Sequence, residues 1–249
     1  VYTTDGSYAG PVGGYPDREN PVARLNRNRD NRYTYWRMFG DAWVNLKLFK
    51  GFNIRSTFGL DYSQKQQRIF TYPVTEGNVA NSTNAVEAKQ EHWTKWMWNA
   101  VATYNLVAGK NRFDVMAGIE LNREDDVNFS GKKEDFIILQ PDYMWPDAAT
   151  GSAQAFGSGG GYSLVSFFGK VNYNYDDRYM ASLTLRHDGS SRFGKNNRFA
   201  TFPSLSLGWR INHENFLKDA SWIDDLKLRA SWGQNGNQEI SNLARYTVY

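Results

Sequence analysis

The chain has no cysteine among its 249 residues, so disulfides and thiolate metal sites are excluded. Histidine is scarce as well. His92, His187 and His213 lie far apart on different predicted strands or turns, and no composite metal site is expected from them. No apolar run approaches the roughly 20 residues that a membrane-spanning helix needs. With hydrophobic residues at 41%, a helical membrane protein is excluded. Charge of one sign is also lacking: the net charge of +3 points by itself to no polyanionic partner, and nucleic acid is not expected. Val1 opens in Tyr-, Gly- and Pro-rich sequence without a signal-peptide pattern, and Tyr249 closes no obvious element. Both ends read as cuts, and the expectation is a section of a larger protein.

Catalytic patterns are missing too. No Gly-x-Ser-x-Gly elbow is present, and Gly157 to Gly161 lacks the Lys-Ser/Thr ending of a phosphate loop. The carboxylate neighbours Asp125-Asp126, Glu134-Asp135 and Asp224-Asp225 fall in predicted loops or turns, where solvation is the default. The Arg24 to Arg32 segment dilutes its arginines with Asn and Asp and reads as a solvated loop. Asn81-Ser82-Thr83 matches a glycosylation sequon, a pattern short enough to arise by chance. The chain is expected not to be an enzyme and to hold neither cofactor nor metal.

What is present is alternation. From Gly51 to Ser63, Phe52, Ile54, Ser56, Phe58, Leu60 and Tyr62 share one strand face, while Asn53, Arg55, Thr57, Gly59, Asp61 and Ser63 share the other. Eight such stretches are predicted: about 35–49, 51–63, 91–107, 112–124, 162–175, 179–188, 202–212 and 226–233. Residues 1–34 read as a loop-like lead-in punctuated by Pro11, Gly13, Gly14, Pro16 and Pro21. The gaps about 64–90 and 125–161 read as long loops, whereas Lys50-Gly51, Ala108 to Asn111 and Asp176 to Arg178 read as tight turns. Short turns on one side and long loops on the other are the rhythm of an up-and-down membrane barrel, with the short turns periplasmic.

A soluble antiparallel sheet alternates as well, because one face packs on a core. Three features favour lipid instead. The strands read as roughly 10 to 15 residues, against about 9 to 11 needed to cross a bilayer and about 5 or 6 for a soluble strand. Aromatics gather at the strand ends, with Phe52, Tyr104, Phe113, Tyr173, Tyr175, Tyr179 and Trp209 at the inferred periplasmic rim. Tyr62, Trp96, Tyr162 and Trp232 stand at the other rim, around an aliphatic middle such as Ala117, Leu183 and Leu205. The apolar faces carry no Lys, Arg, Asp or Glu, whereas the opposite faces carry Arg55, Asp61, Lys95, Asp114, Glu120, Lys170, Arg186, Arg210, Lys227 and Arg229. A charge on the lipid face near the midplane costs about 2–4 kcal/mol, and a lumenal one costs little. The mean hydropathy of −0.65 agrees with strands that are wet on one side.

Candidate functional residues follow from this periodicity. Arg55, Asp61, Lys170, Arg186 and Arg210 are expected to line the lumen, where they contact cargo or pack against other barrel parts. Phe70, Tyr72, Phe136, Tyr143, Trp145 and Phe156 lie in the long gaps, and Tyr72, Phe136, Tyr143 and Trp145 are candidate loop contacts. Such rings either stack on a ligand or sit inside a folded loop.

The last third carries longer motifs. Ser166 to Tyr173 leads into Asp177-Arg178-Tyr179, then Leu185-Arg186-His187-Asp188-Gly189-Ser190-Ser191-Arg192-Phe193-Gly194. Phe202-Pro203-Ser204, Gly208 to Ile211, Phe216 to Asp219, Leu226 to Gly233 and Gly236-Asn237-Gln238 follow. Asn20-Pro21 and Phe58-Gly59-Leu60-Asp61 agree more loosely. This series resembles the SusC/RagA family of TonB-dependent outer-membrane transporters of Bacteroidota. His187 departs from the Arg or similar residue frequent there. The resemblance implies an all-β antiparallel barrel of about 22 strands, of which this chain would be a middle section without the N-terminal plug and TonB box. It implies residence in the Gram-negative outer membrane, a SusD-like surface lipoprotein as lid, and energy from the TonB–ExbB–ExbD complex through the missing N-terminal part. It also implies glycan oligosaccharides or, second, peptides as cargo. Two alternatives remain open on the residues alone: a passive porin or outer-membrane enzyme barrel, and a soluble all-β carbohydrate-binding or structural module.

Overall fold

The computed structural model describes residues 2–10, 20–76, 79–217, 222–242 and 244. The lead-in residues Pro11, Gly13, Gly14 and Pro16, and Lys218 and Asp219 of the later motif, lie outside the described residues. The chain is all-β and antiparallel. The long strands are β1 (Arg32–Phe49), β2 (Phe52–Thr71), and, after the short β3 (Val74–Glu76) and β4 (Val79–Asn81), β5 (Ala85–Ala108) and β6 (Asn111–Glu134). They continue with β7 (Gln154–Tyr175), β8 (Tyr179–Ser190), β9 (Phe199–Arg210) and β10 (Lys227–Gly233). Eight form one sheet in the order β1-β2-β5-β6-β7-β8-β9-β10, which is an up-and-down meander, and β3 and β4 form a separate hairpin.

The tight turns fall where the sequence places them. Gly51 has φ +85° and accepts a hydrogen bond from the Asn105 amide at 2.9 Å. A Cβ at Gly51 would stand 2.3 Å from the Asn105 carbonyl oxygen, so both the backbone conformation and the space demand glycine. Asp176 and Asp177 take φ +52° and +51° in the β7–β8 turn, a conformation short Asp side chains tolerate. Lys110 Nζ meets Asp176 Oδ2 at 2.7 Å, linking that turn to the β5–β6 turn.

The strands run further than the alternation predicts. β2 continues to Thr71, β5 starts at Ala85, β6 continues to Glu134 and β7 starts at Gln154, so much of the two expected long loops is strand. Beyond about residue 64 of β2, Gln64 to Arg68 are polar on both faces, and beyond residue 125 of β6 only Val127 and Phe129 keep apolar outward positions, so the period-2 signal fades although the ladder continues. The lead-in is also not wholly loop. Pro21–Arg27 forms helix α1, with Pro at its first turn and the Asn20 side chain accepting from the Val22 and Ala23 amides.

The described residues divide into two compact units. One comprises Val1–Met38, Tyr62–Trp93 and Asp126–Gly159; the other comprises Phe39–Asp61, Thr94–Asp125 and Gly160–Tyr249. In the first, Phe70, Val86, Phe136, Met144 and Ala149 make a small core, with Tyr72 packed against it. In the second, the apolar strand faces are not folded into a core. Leu183 is 55% exposed, Leu207 52% and Leu228 59%. A water-soluble sheet of this length would bury that face; a wall facing acyl chains leaves it open. The soluble-module alternative therefore lacks the closed core it requires.

Candidate functional site: the inward wall and its loops

Side chains of the second unit sort onto two faces. On the outward face Phe113 and Tyr173 pack at 4.8 Å, Tyr175 and Tyr179 at 6.4 Å, and Phe49 and Phe52 at 4.8 Å. These rings form the rim at the tight-turn end. Trp209 Nε1 and the Tyr179 hydroxyl both donate to Glu214 Oε1, at 2.9 and 2.6 Å. Those two bonds, Tyr179's first, hold the Glu214 carboxyl below the usual carboxylate range.

Arg186 organises the inward face. Register places it opposite Phe202 on β9 and Phe168 on β7. Its Nε donates to both oxygens of Asp188 at 2.7 and 2.8 Å, and Nη2 donates to Ser166 Oγ at 2.8 Å. Glu120 Oε1 lies 3.8 Å from Nη2, and the guanidinium sits 5.7 Å from the Phe168 ring centroid. Gly118 makes room for that ring, since a Cβ there would stand 2.6 Å from Phe168 Cζ.

The other lumenal candidates hold different partners. Arg55 stacks over Trp43 at 4.5 Å. Arg210 Nε lies 3.4 Å from Asp225 Oδ1. Lys170 faces inward opposite Thr184, and Asp61 shares the face of Arg55. Arg55, Arg186 and Arg210 thus occupy separate environments and do not converge.

Tyr162, expected in the outer rim, is instead on the inward side. Its hydroxyl donates to Glu124 Oε2 at 3.2 Å, Lys95 Nζ lies 3.7 Å from the same oxygen, and Arg192 covers the Tyr162 ring at 3.9 Å. The strand alternation already assigns Tyr162 to that side, because it shares the parity of Lys170 rather than of Val165. Arg192 then reaches the segment after β10: Nε donates to Asn242 Oδ1 at 2.8 Å and Nη1 to the Gln238 carbonyl at 3.0 Å. Beside this clamp, Ser166, Arg186, Asp188, Phe193, Arg198, Phe202 and Asn237 line a cavity of about 610 Å³. Apolar ring planes among amide, hydroxyl and charged groups suit a polar ligand that also has apolar faces. The clamp pairs residues about 50 apart, and local patterns could not reveal it.

The four loop candidates split. Phe136 is 6% exposed in the first unit's core and so is not a surface contact. Its amide donates to Asn84 Oδ1 at 2.6 Å, and Asn84 Nδ2 returns a bond to its carbonyl at 3.2 Å. Tyr72 is half-buried against that core, and its hydroxyl donates to Asp30 Oδ2 at 3.0 Å. Burial first, then the hydrogen bond and charge of Asp30, push the Tyr72 phenol up to about 12. Tyr143 and Trp145 are exposed at 60% and 56%, and Trp145 is stacked by Arg68 at 4.3 Å.

Comparison with known proteins adds four likenesses. Residues 1–247 match the family model of TonB dependent receptor-like β-barrels. The TonB-dependent receptor SusC of Bacteroides thetaiotaomicron is 34% identical over 227 residues, covering 90% of this chain and 22% of its own length. The TonB-dependent receptor P3 of Formosa agariphila is 31% identical over 244 residues, covering 97% of this chain and 24% of its own. The solved RagAB peptide transporter superposes with a TM-score of 0.82 at 19% identity, over 95% of this chain and 26% of that one. The chain spans about a quarter of the length of the relatives it matches.

Proposed function

The chain belongs to the TonB-dependent receptor β-barrel family, of the SusC/RagA type, and from that membership we propose that it is one wall of an outer-membrane importer of bulky nutrients. Glycan oligosaccharides are the first cargo class and peptides the second. A SusD-like surface lipoprotein serves as lid. The TonB–ExbB–ExbD complex supplies energy through a plug and TonB box elsewhere in the whole protein. The cell compartment is the outer membrane of a Bacteroidota-type bacterium. In this reading the chain's own task is containment and lining, with transport rather than catalysis as its activity.

The observation that carries the proposal is the opposition of the two faces in the second unit: an outward face whose mid-strand positions, such as Ala117, Leu183 and Leu205, carry no formal charge and are rimmed by rings, and an inward face where Arg186 donates to Asp188 and pairs with Glu120 at 3.8 Å. Lipid tolerates only the first, and a water-filled lumen favours the second. The cavity beside Arg186 is the place where cargo would meet this wall.

The test is genetic and physiological. Deleting the gene should abolish growth on one class of oligomer as sole nutrient while leaving growth on its monomer unchanged. Loss of TonB should have the same effect. Growth that survives both deletions on every glycan and peptide tested, with the protein still in the outer membrane, would refute import. Recovery of the protein from the soluble fraction would refute the placement.

A further inference from the structure

The unit formed by Val1–Met38, Tyr62–Trp93 and Asp126–Gly159 distributes charge unevenly between its two strand faces. Inward, cations are matched locally: Lys65 lies 3.8 Å from Glu91, Lys89 3.1 Å from Glu87 and Lys132 2.6 Å from Glu134. Outward, the positions of β1, β2, β5 and β6 in this unit carry Arg32, Arg68 and Lys133 and no carboxylate. Lys133 is spent on the Ala149 carbonyl at 2.8 Å. The two arginines are not neutralised. Arg32 Nη1 reaches the Arg29 carbonyl at 3.4 Å. Arg68 stacks on Trp145 and Phe70 and donates Nη2 to the Pro141 carbonyl at 3.0 Å, while its Nε is shielded from solvent with no acceptor. Among the described residues neither guanidinium has a carboxylate within 4.0 Å, Asp142 and Asp147 of the bordering loop included.

Arg32, Arg68, Gln66, Gln90, Phe129 and Trp145 line one open groove of about 570 Å³. Its level follows from the rings on the same face. Trp36 and Tyr62 meet at 5.1 Å, and the Tyr62 hydroxyl bonds His92 Nδ1 at 3.0 Å, as amphipathic rings do at a headgroup boundary. From Trp36 to Arg32 the strand rises ~13 Å, and from Tyr62 to Arg68 ~20 Å, at ~3.3 Å per residue. A tilt of ~40° turns this into ~10–15 Å of height, above the acyl chains and among headgroup sugars.

We infer that this groove binds the anionic saccharide headgroup of a glycolipid in the surrounding outer leaflet. The inference rests on the outer-membrane placement proposed above. Guanidinium forks match phosphate or carboxylate oxygens, the Trp145 and Phe129 planes accept a sugar's apolar face, and the Gln66 and Gln90 amides serve its hydroxyls. A soluble acidic sugar offers the same groups. The outward aspect of the groove, above the ring boundary, selects the lipid source, because cargo passes on the other face.

The test uses the full-length protein, extracted in detergent from the outer-membrane fraction, and Kdo2-lipid A in mixed micelles as probe. Retained glycolipid is counted by native mass spectrometry, and affinity by titration. Arg32→Gln, at an exposed position that cannot disturb the core, should weaken binding about fivefold, and Arg32→Gln with Arg68→Gln about 25-fold. Arg68→Lys keeps the charge, loses the fork, and should fall between wild type and the double variant. Equal glycolipid on the wild type and Arg32→Gln overturns the inference. So does displacement of the lipid by inorganic phosphate or by free Kdo at the lipid's own affinity. Absence of the protein from the outer-membrane fraction, read first by fractionation, overturns instead the placement beneath it.

Discussion

Met144→Ala probes whether the loop joining β6 to β7 is a folded body or a mobile tether. Met144 is fully buried, against Phe70, Val86, Phe136 and Ala149, and no other apolar cluster of described residues backs them up. Removing a buried Met side chain costs about 2–5 kcal/mol, and a core this small cannot collapse far to recover it. At 1.36 kcal/mol per tenfold, local opening of residues 135–149 should become ~30- to several-thousand-fold more frequent. The polar staples limit the effect to this region: Asn84 with Phe136, Arg68 with the Pro141 carbonyl, and Lys133 with the Ala149 carbonyl. Hydrogen exchange followed by mass spectrometry reads the change directly. The Phe136 amide, bonded to Asn84, and the Gly151 amide, bonded to the Glu134 carbonyl at 3.0 Å, should lose protection, while peptides from β8 and β9 keep theirs. Exchange changed less than threefold in 135–149, or raised equally in β8 and β9, would refute the claim that this core is a local folding unit.

Three further outcomes are expected. Leu205→Arg on the outward face should destabilise insertion by about 2–4 kcal/mol, whereas Ser206→Arg one position along should cost little, as read by folding titrations in lipid vesicles; equal costs would mean the faces are misassigned. Gly51→Ala places a methyl against the Asn105 carbonyl at a φ of +85° and should reduce assembled, heat-modifiable protein on gels, whereas Gly109→Ala, with open space around it, should be milder. Tyr72 binds its proton more tightly folded than unfolded, so its contribution is present below pH ~10. It is lost as pH rises toward about 12, where the folded phenol ionises. Protection of the 70–86 region should therefore fall between these values, and Tyr72→Phe should flatten that dependence.

The first third of the chain shows why only part of this was readable from residues. Alternation located β1 and β2 and both their faces, because a strand's period of two is local and lipid demands an unbroken apolar row. The same logic fails over 64–71 and 125–134, where runs of polar residues such as Gln64 to Arg68 and Ser130 to Glu134 blur the contrast while the backbone ladder continues. Helix α1 is not expected because Pro21 reads as loop punctuation beside Pro11, Gly13, Gly14 and Pro16, although a Pro preceded by Asn also starts a helix. Arg186 is legible as a charge on the polar strand face, but its bonds to Asp188 and Ser166 require the register of β7 against β8.

By itself, then, the sequence determined the eight long strands, which of their faces is apolar, where the tight turns fall and which family the chain resembles. Each of these depends on neighbours within a few residues. Tertiary structure alone decided that Phe136 and Met144 close a core with Phe70 and Ala149, that Arg192 covers the Tyr162 ring, and that Arg32 and Arg68 share an uncompensated groove. Those outcomes join Phe70 to Ala149, Tyr162 to Arg192 and Arg32 to Arg68, and side-chain periodicity carries no information over such distances.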